Sequence, residues 1–180
     1  VVVSLALVYR SQVDLQRELG QWSNNIRRDL SNKGSTVTRN AALAAGQAAE
    51  AMDFLFLTEL IKSTVANDSE IVFGLIANQE GQVFVHSTAE KTGSTAKAPE
   101  YAAAMAQNKT MTRETTFDGK KVLEVVSPVL VGGFPWGTLH FGMSLEPLNK
   151  TLDTARQSFR KRIQSALTAA AGATIAMLVI

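Results

Sequence analysis

The sequence contains no cysteine and only two histidines, His86 and His140. The absence of cysteine excludes disulfide bonds, thiol catalysis and cysteine-ligated zinc. A histidine-based metal site would need carboxylates, and none clusters with either histidine along the chain. We therefore expect neither a metal nor a cofactor.

Motifs of common enzymes are also missing. There is no glycine-rich phosphate loop with lysine, no His-Glu-x-x-His and no Gly-x-Ser-x-Gly, and no nucleophile–base pair is visible. The net charge is only +2, and the basic residues are scattered except for Arg160-Lys161-Arg162, which lies beside an apolar run. That position suits lipid headgroups better than nucleic acid. The sequence thus predicts neither an enzyme nor a nucleic-acid-binding protein.

No apolar run reaches the roughly 20 residues that cross a bilayer, but Val1–Val8 and Ala166–Ile180 lie at the two ends. We interpret residues 1–9 and 163–180 as truncated transmembrane helices of an inner-membrane protein, with residues 10–162 periplasmic or extracellular. A signal peptide is the alternative for the first run, although no small-residue cleavage site follows it. A buried alanine-rich helix is the alternative for the second. The basic cluster at 160–162 opposes this orientation, because positive flanks are usually cytoplasmic.

Residues from Gln12 to about Val65 predict a long helix, since apolar residues recur at three- and four-residue steps without proline. A helix of that length needs a partner, and the steps approximate a heptad seam. We expect a continuous or bent helix that pairs with a second copy in a homodimer, with an intrachain hairpin as the alternative. The polar interval Ser31–Ser35, which includes Gly34, is a candidate break. The two apolar stripes are Leu15, Leu19, Trp22, Ile26 and Leu30, then Val37, Ala41, Ala44, Ala48, Ala51 and Leu55.

The pattern then changes to short β-forming segments separated by turns. Asp118-Gly119 is the strongest hairpin signal, and Pro99 begins a short helix that extends to Asn108. Tight turns require antiparallel neighbours. We therefore predict an α+β fold in which a long N-terminal helix packs on a five-stranded antiparallel sheet. The predicted strands are Ile71–Ala77, Gln82–Ser87, Thr110–Phe117, Lys121–Val131 and Trp136–Ser144. The predicted regions are a dimerising helix at 10–66, a sheet domain at 67–146 and a juxtamembrane helix at 147–162, between the two membrane segments.

The segment Ile71–Ser87 resembles the first hairpin of the Cache, or extracellular PAS-like, sensor domains: a strand, an amide and acidic turn ending in glycine, and a strand closing on His-Ser. Val126–Val129 and Trp136–Glu146 resemble that family's closing strands. The resemblance implies a single Cache domain of a bacterial transmembrane receptor, such as a chemoreceptor, a sensor histidine kinase or a nucleotide-cyclase receptor. It also implies a small ligand between the sheet and its overlying loops and helix, for example a carboxylate, an amine or an amino acid. The amino-acid signature of double-Cache receptors has no match here, so no ligand class carries over.

Strand alternation predicts which side chains face such a pocket. In the last strand one face carries Trp136, Thr138, His140 and Gly142, while Leu139, Phe141 and Met143 share the apolar face that should pack on the long helix. Arg113 is a candidate for a bidentate contact with a ligand carboxylate, and Tyr101 for closing over it. For each side chain the alternative is a structural role. The predicted ligand-binding residues are Phe84, His86, Tyr101, Arg113, Trp136, Thr138 and His140.

Two functions remain after these exclusions. The first is a small-molecule sensor that passes ligand binding to a cytoplasmic output domain through a small shift of Leu148–Ile163 relative to the dimeric N-terminal helix. The second is a ligand-free structural or dimerisation module of a membrane protein.

Overall fold

The computed structural model describes residues 2–96 and 98–178. The chain divides into two units, one of Val1–Ile26 with Pro147–Ile180 and the other of Arg27–Glu146. The first consists of the ends of two helices, and the second contains the sheet. The elements in chain order are α1 (Val2–Glu50), α2 (Phe54–Asn67), β1 (Ile71–Asn78), β2 (Val83–His86), α3 (Pro99–Gln107), β3 (Met111–Phe117), β4 (Lys120–Val131), β5 (Phe134–Ser144) and α4 (Glu146–Leu178).

The five strands form one antiparallel sheet in the order β2-β1-β5-β4-β3, as the sequence predicts in strand number and direction. The β3–β4 turn has positive φ at both Asp118 (48°) and Gly119 (78°), the conformation that matches the twist of a two-residue hairpin. The β4–β5 turn repeats it at Gly132 and Gly133. These turns fix the register of the three strands that carry most of the candidate site.

The long N-terminal helix differs from its prediction in where it breaks. It passes through Gly34 without interruption and ends at Glu50, and Met52 then adopts φ 57° before α2 begins. The Asp53 carboxylate caps α2 by accepting a hydrogen bond from Phe56 N at 2.9 Å. The expected helix through Val65 is therefore two helices.

Gly34 is required for packing and does not break α1. A Cβ at this position would lie 2.8 Å from Val125 Cγ2, and one at Gly46 would lie 2.3 Å from the Leu130 carbonyl oxygen. Because glycine has no side chain, α1 can lie directly on the sheet at both points. The buried face of α1 includes Ala41 and Ala48 of the second predicted stripe together with Thr38 and Ala45, whereas Leu55 of that stripe belongs to α2 and is 81% exposed.

The two faces of the sheet are covered differently. The face with Leu139, Phe141 and Met143 lies under helices, as expected: Met143 is next to Gly34 of α1, and Phe141 and Ile61 of α2 both surround Gly74. The opposite face is covered by α3, whose Tyr101 and Ala104 pack on Val126. That second face contains the buried polar residues described next.

No helix in the described residues has an apolar stretch long enough to cross a membrane. The predicted membrane segments at 1–9 and 163–180 include Val1, Val179 and Ile180, which lie outside the described residues.

Candidate functional site

A buried carboxylate, Glu124, is the centre of the polar cluster between the sheet and α3. It is only 2% exposed, although it lies in a β4 segment whose neighbours from Val122 to Val126 are all apolar. Its Oε1 and Oε2 accept hydrogen bonds from Tyr101 Oη at 2.9 and 3.0 Å, and Oε2 also accepts from Arg113 Nε at 2.6 Å. Strand pairing sets Arg113 directly opposite Glu124. The register therefore forms an ion pair whose carboxylate is buried and whose guanidinium remains partly exposed.

His140 extends the cluster across the next strand. Its Nδ1 lies 2.9 Å from Glu124 Oε1, and its Nε2 lies 2.8 Å from Thr138 Oγ1. Complete burial lowers the pKa of His140, with Glu124 opposing that effect, so the imidazole is neutral at pH 7. Because Glu124 only accepts hydrogen bonds when ionised, His140 carries its proton on Nδ1 and accepts the Thr138 hydroxyl at Nε2.

The ionised state of Glu124 follows from its partners. Burial by itself raises the pKa of Glu124, but the hydrogen bonds from His140, Arg113 and Tyr101 outweigh burial and hold this pKa below the usual glutamate value. Burial raises the pKa of Tyr101, and the Glu124 charge raises it further, so the phenol remains a donor. Tyr101 also accepts a hydrogen bond from Arg113 Nη2 at 2.7 Å. All these polar groups thus have partners within the protein.

A cavity of about 350 Å³ adjoins this cluster. Tyr101 and Thr138 belong to both, so they connect the cavity to the buried charges. Among the described lining residues, Glu80 and Tyr101 are the ionisable ones, and the Arg113 charge is already balanced by Glu124. The described part of the lining therefore presents hydrogen-bonding groups and a carboxylate. Its lining is Asn78, Gln79, Glu80, Gly81, Ala96, Ala98, Pro99, Tyr101, Ala102, Met105 and Thr138.

The seven predicted residues fall into three places. Tyr101, Arg113, Thr138 and His140 meet around Glu124. Arg113, predicted to bind a ligand carboxylate, is instead bonded to the protein's own carboxylate.

The other three predicted residues lie elsewhere. Phe84 and Trp136 contact each other edge to face, with ring centroids 5.0 Å apart. His86 stacks near Phe73 and Phe117, and its Nδ1 accepts a hydrogen bond from Thr88 N at 2.8 Å. A bulge in the β1–β2 pairing interrupts strict alternation at Phe84. His86 pairs with Leu75, which pairs with His140, so His86 lies on the same sheet face as His140 but outside the Glu124 cluster.

Sequence reasoning did not select Glu124, Asn78 or Gln79. A single glutamate inside an apolar strand is a usable signal, because an unpaired buried charge is too costly to retain. Asn78 and Gln79 lie in the predicted turn after β1. Asn78 Oδ1 accepts from Gln82 N at 2.8 Å, and Gln79 donates to the Pro135 carbonyl. In the described residues no group of three or more potential metal ligands is found.

An antiparallel sheet in the order 2-1-5-4-3, with a long helix on one face and a small pocket under a short helix on the other, defines the PAS-like class of sensor domains. The single Cache domain 3 family profile matches residues 22–157, and the chain belongs to this family. Domains of this kind are ligand-binding, non-catalytic modules of signal-transducing receptors, so the chain is a sensor domain and not an enzyme.

Solved structures show the same fold at low sequence identity. The sensor domain of the V. cholerae histidine kinase DctB has a TM-score of 0.61 and 13% identity, covering 81% of this chain and 59% of that one. The E. coli DcuS sensor domain has a TM-score of 0.56 and 15% identity, and the match covers 71% of this chain and 97% of that one. A third match is the ligand-binding domain of the Pseudomonas aeruginosa PAO1 chemoreceptor PctB in complex with L-Gln. It has a TM-score of 0.57 and 18% identity, and the match covers 76% of this chain and 57% of that one. No curated protein matches the sequence.

Proposed function

We propose that this chain is the extracytoplasmic sensor domain of a transmembrane receptor and binds a small polar molecule in the cavity beside Tyr101 and Thr138. The observation that carries the proposal is the link between this cavity and the Glu124 cluster. A ligand that bonds Thr138 or Tyr101 competes with His140 or Glu124 for the same hydroxyls. Ligand occupancy would thereby alter hydrogen bonds between α3 and two strands.

The charge of the cavity favours particular ligands. With Glu80 as the charged side chain in the described part of the lining and Arg113 paired to Glu124, the cavity suits an amine, an amide or an amino acid better than a simple carboxylate. The solved relatives include the Campylobacter jejuni chemoreceptor Tlp3 in complex with L-norvaline, which supports an amino acid among the first compounds to test.

The receptor arrangement belongs to the same proposal. Residues 1–9 and 163–180 are membrane segments, α1 pairs with its copy in a homodimer, and residues 147–162 transmit a shift toward the cytoplasm. The shift is an equilibrium between two arrangements of residues 147–162 relative to α1. A ligand changes this equilibrium only if its affinity differs between the two arrangements. The chain spans about three fifths of the DctB sensor domain that it matches, so the output domain is also a proposal.

Thermal unfolding of the chain against amines, amides, amino acids and carboxylates tests the binding. A ligand at about 100 times its Kd should stabilise the folded state by about 2.7 kcal/mol, with a rise in Tm that depends on concentration. Ala102→Trp, which fills the cavity from an exposed position on α3, should abolish the shift, while Ala106→Trp outside the lining should retain it.

The fully satisfied Glu124 cluster also fits a ligand-free structural module. That second function predicts no change in Tm with any compound class and an intact dimer.

A further inference from the structure

A second cavity lies at the open end of the β3–β4 pair, away from the Asp118-Gly119 turn, and has a different chemistry. It has a volume of about 540 Å³ and is formed by α1, the connection from α3 to β3, and the late part of β4. None of its lining residues belongs to the cavity beside Tyr101. Its lining is Arg39, Ala42, Leu43, Asn108, Lys109, Thr110, Ser127, Pro128 and Leu130.

Two basic side chains line this cavity without acidic partners. Arg39 and Lys109 are exposed, make no ion pair with any residue that the structure describes, and share the cavity with no aspartate or glutamate. Two other lysines near the sheet are neutralised: Lys33 contacts Asp68 and Glu70, and Lys91 contacts Asp118. The local potential at Arg39 and Lys109 is therefore positive, and it attracts an anion.

The rest of the cavity provides hydroxyls and an apolar wall. Thr110 Oγ1 and Ser127 Oγ lie 3.0 Å apart, and whichever oxygen accepts in this pair keeps its own proton for a ligand. Leu43 is 68% exposed and lines the same cavity as Pro128 and Leu130. A molecule with a carboxylate at one end and an aliphatic part at the other matches both features.

The strand edge in this cavity disfavours a peptide ligand. The first residue of β3, Met111, pairs with Val126, whereas β4 runs on to Val131. The last residues of β4 therefore have no β3 partner. Pro128 lies in that continuation and has no N–H with which to extend a ladder. The exposed edge is therefore suited to a small molecule and protected against strand addition.

We propose that this second cavity binds a small aliphatic carboxylate, with its carboxylate held by Arg39 and Lys109 and its chain on Leu43, Pro128 and Leu130. Because Arg39 and Leu43 belong to α1 while Lys109 follows α3, such a ligand joins the long helix to the α3–β3 connection. This carboxylate would bind at a site distinct from the cavity beside Tyr101.

Isothermal titration calorimetry of the chain with hexanoate tests this site. Hexanoate should bind saturably, acetate more weakly because it lacks the aliphatic part, and hexanamide not at all because it lacks the charge. Arg39→Gln and Lys109→Gln should each weaken hexanoate binding about tenfold, as expected for the loss of a charge-assisted hydrogen bond. Lys62→Gln, which removes an exposed lysine of α2 outside the cavity, should leave the affinity unchanged.

Leu43→Glu is a second probe that avoids the buried core, since Leu43 is mostly exposed. The new negative charge should weaken hexanoate binding, whereas Leu43→Lys should not. Absence of hexanoate binding, or equal affinity in the wild type and both glutamine variants, would overturn the site. Loss of binding in Ala102→Trp alone would overturn it too, by assigning hexanoate to the cavity beside Tyr101.

Discussion

Glu124 shows how one residue sets both the stability and the chemistry of the sensor face. Its carboxylate neutralises Arg113, orders the Tyr101 hydroxyl and selects the His140 tautomer. Glu124→Ala should lower the free energy of unfolding by about 3 kcal/mol, because it leaves the buried His140 and Tyr101 and the partly buried Arg113 without their shared acceptor. Urea unfolding followed by circular dichroism measures this loss.

The neighbouring strand offers a matched control. Glu114 is also in a salt bridge, with Arg27, but its side chain is 47% exposed. Glu114→Ala should therefore cost less than about 1 kcal/mol, as for other surface ion pairs. Equal losses in the two variants would contradict the structural role assigned to Glu124.

The candidate site was only partly predictable at this scale. Alternation along β5 correctly put Thr138 and His140 on one face, and Tyr101 and Arg113 join them through hydrogen bonds. Phe84 could not be placed in the same way, because the bulge between Ile76 and Ala77 depends on pairing geometry that no local pattern encodes. His86 lies on the His140 face, with Leu75 between them, but outside the Glu124 cluster.

At the scale of elements, the strands were predictable because turn residues separate them. Asp118-Gly119, for example, adopts the positive φ angles that a tight hairpin turn requires. The break in the N-terminal helix was not. The polar interval around Gly34 has the composition of a break, yet the sheet beneath it requires a glycine inside a continuous helix. The break comes instead at Met52, six residues after Gly46, where α1 contacts Leu130 near the end of β4.

Two glycines of α1, Gly20 and Gly46, should respond in opposite ways to substitution by alanine. A Cβ at Gly46 would meet the Leu130 backbone oxygen, which no rotamer change can move, so Gly46→Ala should cost about 1–3 kcal/mol. Gly20 has no atom within 4 Å of the added Cβ, so Gly20→Ala should stabilise α1 by about 0.5–1 kcal/mol. Chemical denaturation of both variants measures these opposite signs. A stabilising Gly46→Ala would contradict the close approach of α1 to β4.

At the scale of the whole molecule, the proposed receptor depends on α1 pairing with its copy. Trp22 is a large apolar residue of this helix that remains 39% exposed in the single chain, as a residue of an unpartnered seam would. The predicted stripe through Trp22 supports the pairing, although the side chain of its first member, Leu15, lies outside the described residues.

The absence of cysteine makes this pairing directly measurable, since a single introduced thiol can react only with its copy. Trp22→Cys should form a disulfide-linked dimer under mild oxidation, because a symmetric seam brings two copies of one residue within about 7 Å of each other. Asn24→Cys is the control, because two residues along a helix turn the side chain to nearly the opposite face. It should link much more slowly. Non-reducing electrophoresis compares the two rates. Equal rates, or no linkage at residue 22, would contradict a dimer paired along α1, and a rate at residue 22 that changes with a stabilising ligand would connect the pocket to the helix.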